Sequence, residues 1–159
     1  MLCTPHYKIG LLGSFFFIGV IAMMLVVPAI ADSYGRRLPF IVTMAASVAA
    51  QSWLMMTSSL DTALGLMIVL GMTFPGKNVV GLAYLLEFTS SKSQETVVNY
   101  YMYLEPILTL YMTFHYSEYS NKYFPLQAIY LSIGIIDLLF IVAFLPESPR
   151  YFYSHGEYE

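Results

Sequence analysis

Five apolar stretches follow one another along this chain of 159 residues, and they constrain its fold more than any other feature. They cover about residues 9–31, 38–57, 62–86, 96–114 and 125–145. A helix needs about 20 apolar residues to cross a hydrocarbon core of about 30 Å, so each stretch approaches or exceeds one crossing. The first two hold no charge, the third holds Lys77, the fourth Glu105 and the fifth Asp137. In lipid the backbone must satisfy its own hydrogen bonds, which leaves helices or closed barrels. No period-two alternation speaks for a barrel. The expected fold is an all-α membrane protein: five transmembrane helices in one partial transmembrane domain over residues 1–159. The alternative, five core helices of a water-soluble protein, needs a charged outer face. Charged residues make up 11% of the chain and hydrophobic ones 58%, whereas a soluble domain is about 25% charged. Five crossings leave no room for a soluble catalytic domain.

The short connections at residues 32–37, 58–61, 87–95 and 115–124 and the tail at 146–159 carry most of the charge. Seven Lys and Arg with a net charge of −3 exclude a basic nucleic-acid-binding surface. A single cysteine excludes an internal disulfide and a cysteine-based metal cluster. His6 and His115 stand alone at the predicted outer face, so no metal or cofactor is expected. No signal peptide is expected either, because the first apolar run starts only after Lys8 and is too long for one. Lipidation motifs are absent from both ends. An odd number of crossings puts the ends on opposite faces. Arg36, Arg37, Lys92 and Arg150 fall on one side, Lys8 and Lys122 on the other. The positive-inside rule makes the Arg36 side cytoplasmic, with the N-terminus outside and the C-terminus in the cytoplasm.

The first loop reads Ala31-Asp32-Ser33-Tyr34-Gly35-Arg36-Arg37. Gly35 permits a tight reversal, Asp32 suits helix N-terminal amides, and the arginines can reach water, headgroups or carboxylates. An acid, a glycine three residues on and two arginines between long apolar runs resemble the signature loop of the major facilitator superfamily. That loop joins the family's second and third helices. The tail, Leu145-Pro146-Glu147-Ser148-Pro149-Arg150-Tyr151, resembles the motif after the sixth helix in sugar porters and in the organic cation/anion transporter group. Glu87 closes the third stretch, as a glutamate does at the cytoplasmic end of the family's fourth helix. Cys3 and Lys8 ahead of the Ser-Phe-rich residues 14–17 look like the end of the extracellular loop of organic cation transporters. The sequence departs from the family pattern at Pro28, where the loop usually begins with glycine, at Ser33 in place of a basic residue, and at Met67 in place of arginine.

The resemblance implies the family's helices two to six, part of an N-terminal six-helix bundle without its first helix. It implies a transporter, not an enzyme, that moves a small organic solute, organic cation-like or sugar-like, by alternating access in a lipid bilayer. A chain without the other transporter half is not expected to transport alone. The alternative is a shortened transporter relic that serves as a structural or assembly subunit with another membrane protein.

The resemblance also implies a cytoplasmic gating network of Asp32, Gly35, Arg36, Arg37, Glu87, Glu147 and Arg150. The plainer reading is solvated loop charges, worth about 0–1 kcal/mol per pair. At 1.5 Å per residue, Lys77, Glu105 and Asp137 all lie about 12–14 Å from the cytoplasmic end. Ionisable groups at that depth face a cavity or one another, which suggests mutual neutralisation, most simply of Lys77 by Glu105. A purely structural ion pair stays open. The family's fourth and fifth helices border its cavity, so Lys77 and Glu105 are solute or coupling candidates, and Asp137 a structural partner or a protonated acid. Pro75-Gly76 and Pro106 adjoin these charges and predict kinks, of transport or of packing. Tyr100 and Tyr103 lie within a turn of Glu105 and could cage a cation with it. An interfacial aromatic belt is the plainer account of them.

Overall fold

Proline sets the first break in the chain. Pro28 has no N–H to donate, and its ring clashes with the carbonyl four residues earlier, that of Met24. In the computed structural model, which describes residues 6–118 and 123–146, α1 (His6–Met23) ends there and α2 (Val26–Tyr34) begins. Together they make one apolar crossing, Gly10–Tyr34. Next comes α3 (Arg37–Met56), with Pro39 harmlessly in its first turn. In front of α4 (Leu60–Pro75), Ser59 takes an extended backbone and its side chain accepts from the Thr62 N–H. That cap and Asp61 in the first turn suit a helix N-terminus.

Pro75 does not end this helix. The chain widens into a π-helical turn, Gly76–Val80, and continues as α5 (Gly81–Glu87). The whole of Leu60–Glu87 is one crossing of 28 residues. Then follow α6 (Gln94–Glu118), with Pro106 inside it, and α7 (Tyr123–Phe144). Four stretches are long and apolar enough to cross a membrane: Gly10–Tyr34, Arg37–Met56, Leu60–Glu87 and Phe124–Phe144. With 25 residues, α6 has the length and is the most polar of the long helices. The chain is an all-α, multi-pass integral membrane protein, and no strand occurs among the described residues.

Glycines decide which helices touch. α1 crosses α4 with backbone on backbone: a Cβ at Gly19 would stand 2.2 Å from the Ile68 carbonyl oxygen, and one at Gly71 would stand 2.0 Å from that of Phe16. Lipid offers no hydrophobic drive for helix association, so such close approach and its dispersion contacts hold helices together. α3 packs on the π turn, where Gly76 leaves room for Thr43 and Gly81 faces the Phe40 ring. Val27, Ala31 and Val80 form a buried cluster there, with Met23 and Phe40 packed against it. α7 lies along α3. α6 makes the lightest contact, mainly with α5. Large apolar side chains such as Ile21, Leu25, Ile136 and Phe144 point outward, as lipid-facing residues do.

Between α2 and α3, Gly35 has φ 92° and ψ 157°, a region that only glycine occupies readily. It is the one positive-φ residue among those described. Gly35→Ala is expected to cost about 1–3 kcal/mol, read as a lowered thermal midpoint of the detergent-solubilised protein.

Candidate functional site

The arginine loop folds into an ion-pair bridge. Arg36 immediately precedes α3, one helical turn after Asp32, and the end of α5 lies beside it. Its Nη2 is 3.3 Å from Asp32 Oδ1, and its Nε is 3.0 Å from Glu87 Oε1. The two contacts are unequal. The Arg36 and Glu87 side chains are 19% and 11% exposed, while that of Asp32 is 69% exposed. Water screens the Asp32 contact to little value, whereas removing one member of the Arg36–Glu87 pair leaves a mostly buried charge behind.

Two further bonds hold the end of α7 and Pro146 just after it. Arg37 Nη2 donates to the Val142 carbonyl at 3.2 Å. The hydroxyl of Tyr84 donates to the Pro146 carbonyl. Tyr84 is buried between the rings of Phe40 and Phe88. The structure thus brings together Asp32, Gly35, Arg36 and Glu87, and joins Arg37 to α7. Glu147 and Arg150 lie outside the described residues. Tyr84 is an addition that no pattern in the sequence announced.

Farther along the same crossing, the π turn presents two polar side chains to two neighbours. Lys77 Nζ donates to Ser47 Oγ on α3 at 2.9 Å, and Ser47 is buried. Asn78 Nδ2 donates to the Phe74 carbonyl at 3.3 Å, inside the kinked segment. Tyr101 on α6 donates its hydroxyl proton to Asn78 Oδ1 at 2.6 Å. Lys77 stands between two open hollows. One, of about 420 Å³, is bounded by Phe16, Gln51, Gln127 and Tyr130. The other, of about 560 Å³, is bounded by Asn78, Tyr101, Thr109 and Tyr130. Both share Phe74 and Met112 with Lys77.

The remaining sequence candidates fall as follows. The side chain of Glu105 lies outside the described residues; its backbone position is midway between Tyr101 and Thr109 on α6. Tyr100 and Tyr103 are exposed, and neither is among the residues lining the two hollows. Asp137 is exposed on α7. Ser47, Gln51, Asn78, Tyr101, Gln127 and Tyr130 are the lining or supporting residues that sequence reasoning passed over. Polar residues four apart in an otherwise apolar crossing, such as Ser47 and Gln51, were a usable signal. Among the described residues no three His, Cys, Asp or Glu side chains group to hold a metal ion.

A comparison with curated proteins yields no match. The family profile described as "Sugar (and other) transporter" matches residues 3–159. The profile covers the arginine loop, the Glu87 helix end and the Pro-Glu-Ser-Pro-Arg tail in one continuous match, and the chain therefore belongs to the sugar (and other) transporter family of the major facilitator superfamily.

Proposed function

We propose that this chain supplies helices two to six of an alternating-access transporter for a small organic solute, with the Arg36 face in the cytoplasm and the N-terminus outside. The observation that carries the reading is Lys77: an ammonium bonded to a buried serine, about 15 Å inside its crossing at 1.5 Å per residue, beside open hollows large enough for a small ligand. A charge at that depth is costly, and residues that carry one mark solute and ion pathways. Glu105, in register with lining residues of α6, is its proposed companion in solute binding or coupling. The Arg36–Glu87 bridge supplies contacts that one conformation makes and the other releases, which alternating access requires. Helices that complete the pathway belong to the remainder of the transporter, in the same polypeptide or in another.

The test is uptake by the complete transporter reconstituted in liposomes. Lys77→Met, inserted at normal levels, is expected to lower initial uptake at least about ten-fold, a loss of about 1.4 kcal/mol of transition-state stabilisation. Unchanged uptake would remove Lys77 from the pathway and the reading with it.

A further inference from the structure

The chemistry around Lys77 narrows the solute class. We propose that the solute is an organic anion whose acid group seats on the Lys77 ammonium, an inference that rests on the transporter reading above.

An ammonium can donate three hydrogen bonds. Among the described residues Ser47 takes one, and it is neutral. An ionised group at membrane depth needs a counter-charge or good solvation. Neither hollow offers an acid among its described lining residues. What they offer instead are neutral hydrogen-bonding groups, Gln51 and Gln127 beside Lys77 in one hollow, and Asn78 in the other. Such groups can orient a carboxylate without competing for its charge. The rest of the wall is apolar and aromatic. Phe74 borders both hollows, and its ring meets that of Phe16 edge-on at 5.8 Å. A solute with an apolar or aromatic body and one carboxylate fits both halves of that environment. A cationic solute would meet a like charge in the same place. Binding an anion also neutralises Lys77, so the loaded site is less polar than the empty one.

Glu105 is the competing counter-charge, because its place on α6 lies between two lining positions. The experiment is designed to separate the two. The complete transporter, in proteoliposomes, is given labelled benzoate, glucose or tetraethylammonium. Saturable benzoate uptake is expected; Lys77→Met should lower it at least ten-fold, and Lys77→Arg, which keeps the charge, should hold it within about three-fold. Uptake of glucose or tetraethylammonium without uptake of, or competition by, benzoate overturns the inference while leaving the transporter reading intact. Where glucose or tetraethylammonium is transported beside benzoate, an equal loss of that probe in Lys77→Met marks a structural charge neutralised within the protein, and also overturns it. No uptake of any probe by folded wild-type protein overturns both readings. Where Lys77→Met does not fold, the wild type decides. Benzoate is expected to raise its thermal midpoint and neutral benzamide is not; equal shifts overturn the inference.

Discussion

Gly71→Leu is expected to leave little folded protein. A single Cβ at that position already stands 2.0 Å from the Phe16 carbonyl oxygen and 2.9 Å from its carbonyl carbon. The obstructing atoms are backbone, so no rotamer change relieves the clash; α1 must move off α4. Overpacking costs about 1–3 kcal/mol where side chains can shift, and this case belongs at or above the upper end. Gly19→Leu should behave alike, because its Cβ meets the Ile68 carbonyl oxygen from the other side of the same crossing. The control is Gly65→Leu, on the same helix as Gly71, where a Cβ meets nothing within 4 Å. Monodisperse yield after detergent extraction should fall sharply for the first two and stay near wild type for the third. Equal yields across the three would mean that the crossing does not hold the fold together.

The second large effect is expected at the ion-pair bridge. Arg36→Ala removes a charged partner of a Glu87 side chain that is 11% exposed, weakening the support of a mostly buried carboxylate. A coupling of about 0.5–3 kcal/mol between Arg36 and Glu87 is expected from a double-mutant cycle on thermal midpoints. Glu87→Gln should be milder than Arg36→Ala, since an amide oxygen can still accept from the guanidinium. Asp32→Asn, on the water-exposed side of the same arginine, should stay within about 1 kcal/mol. The Glu87 coupling should also persist in high salt, which screens exposed charges far more than buried ones. An Asp32 effect as large as that of Glu87 would contradict the assignment of roles.

The helical plan was legible because membrane length and apolarity are strong signals, and the described helix ends fall within a few residues of the apolar stretches. The break near Met24 is legible too, once Pro28 is counted back four residues. Arg36 and Glu87, just over fifty residues apart in sequence, are linked through their resemblance to a family pattern rather than through spacing. The details of the Lys77 site were harder. Pro75-Gly76 announces a disturbance in the helix, but not its form. A bend and an added residue are both open to such a segment, and the packing of Thr43 and Phe40 against Gly76 and Gly81 is what accompanies the second solution. That solution places Lys77 over Ser47, a partner the residue spacing could not single out. Tyr100 and Tyr103 were favoured over Tyr101 for a similar reason. Which face of α6 meets the π turn depends on how that helix is seated, and its weak amphipathic pattern does not encode it.

The π turn has a consequence for the crossing as a whole. Within it the Gly81 N–H is shared between the Asn78 carbonyl and the Gly76 carbonyl, the latter five residues back where an α-helix reaches four. The crossing therefore stores one residue of slack, like an extra thread on a screw. If Gly81 re-bonded to the Lys77 carbonyl, α5 would turn by about 100° and shift by about 1.5 Å relative to α4. Tyr84 would swing from Pro146 and Glu87 from Arg36, while the backbone of Lys77 itself was being rewound. A change of acceptors within the π turn would then be felt at the solute hollow and at the cytoplasmic bridge in the same event.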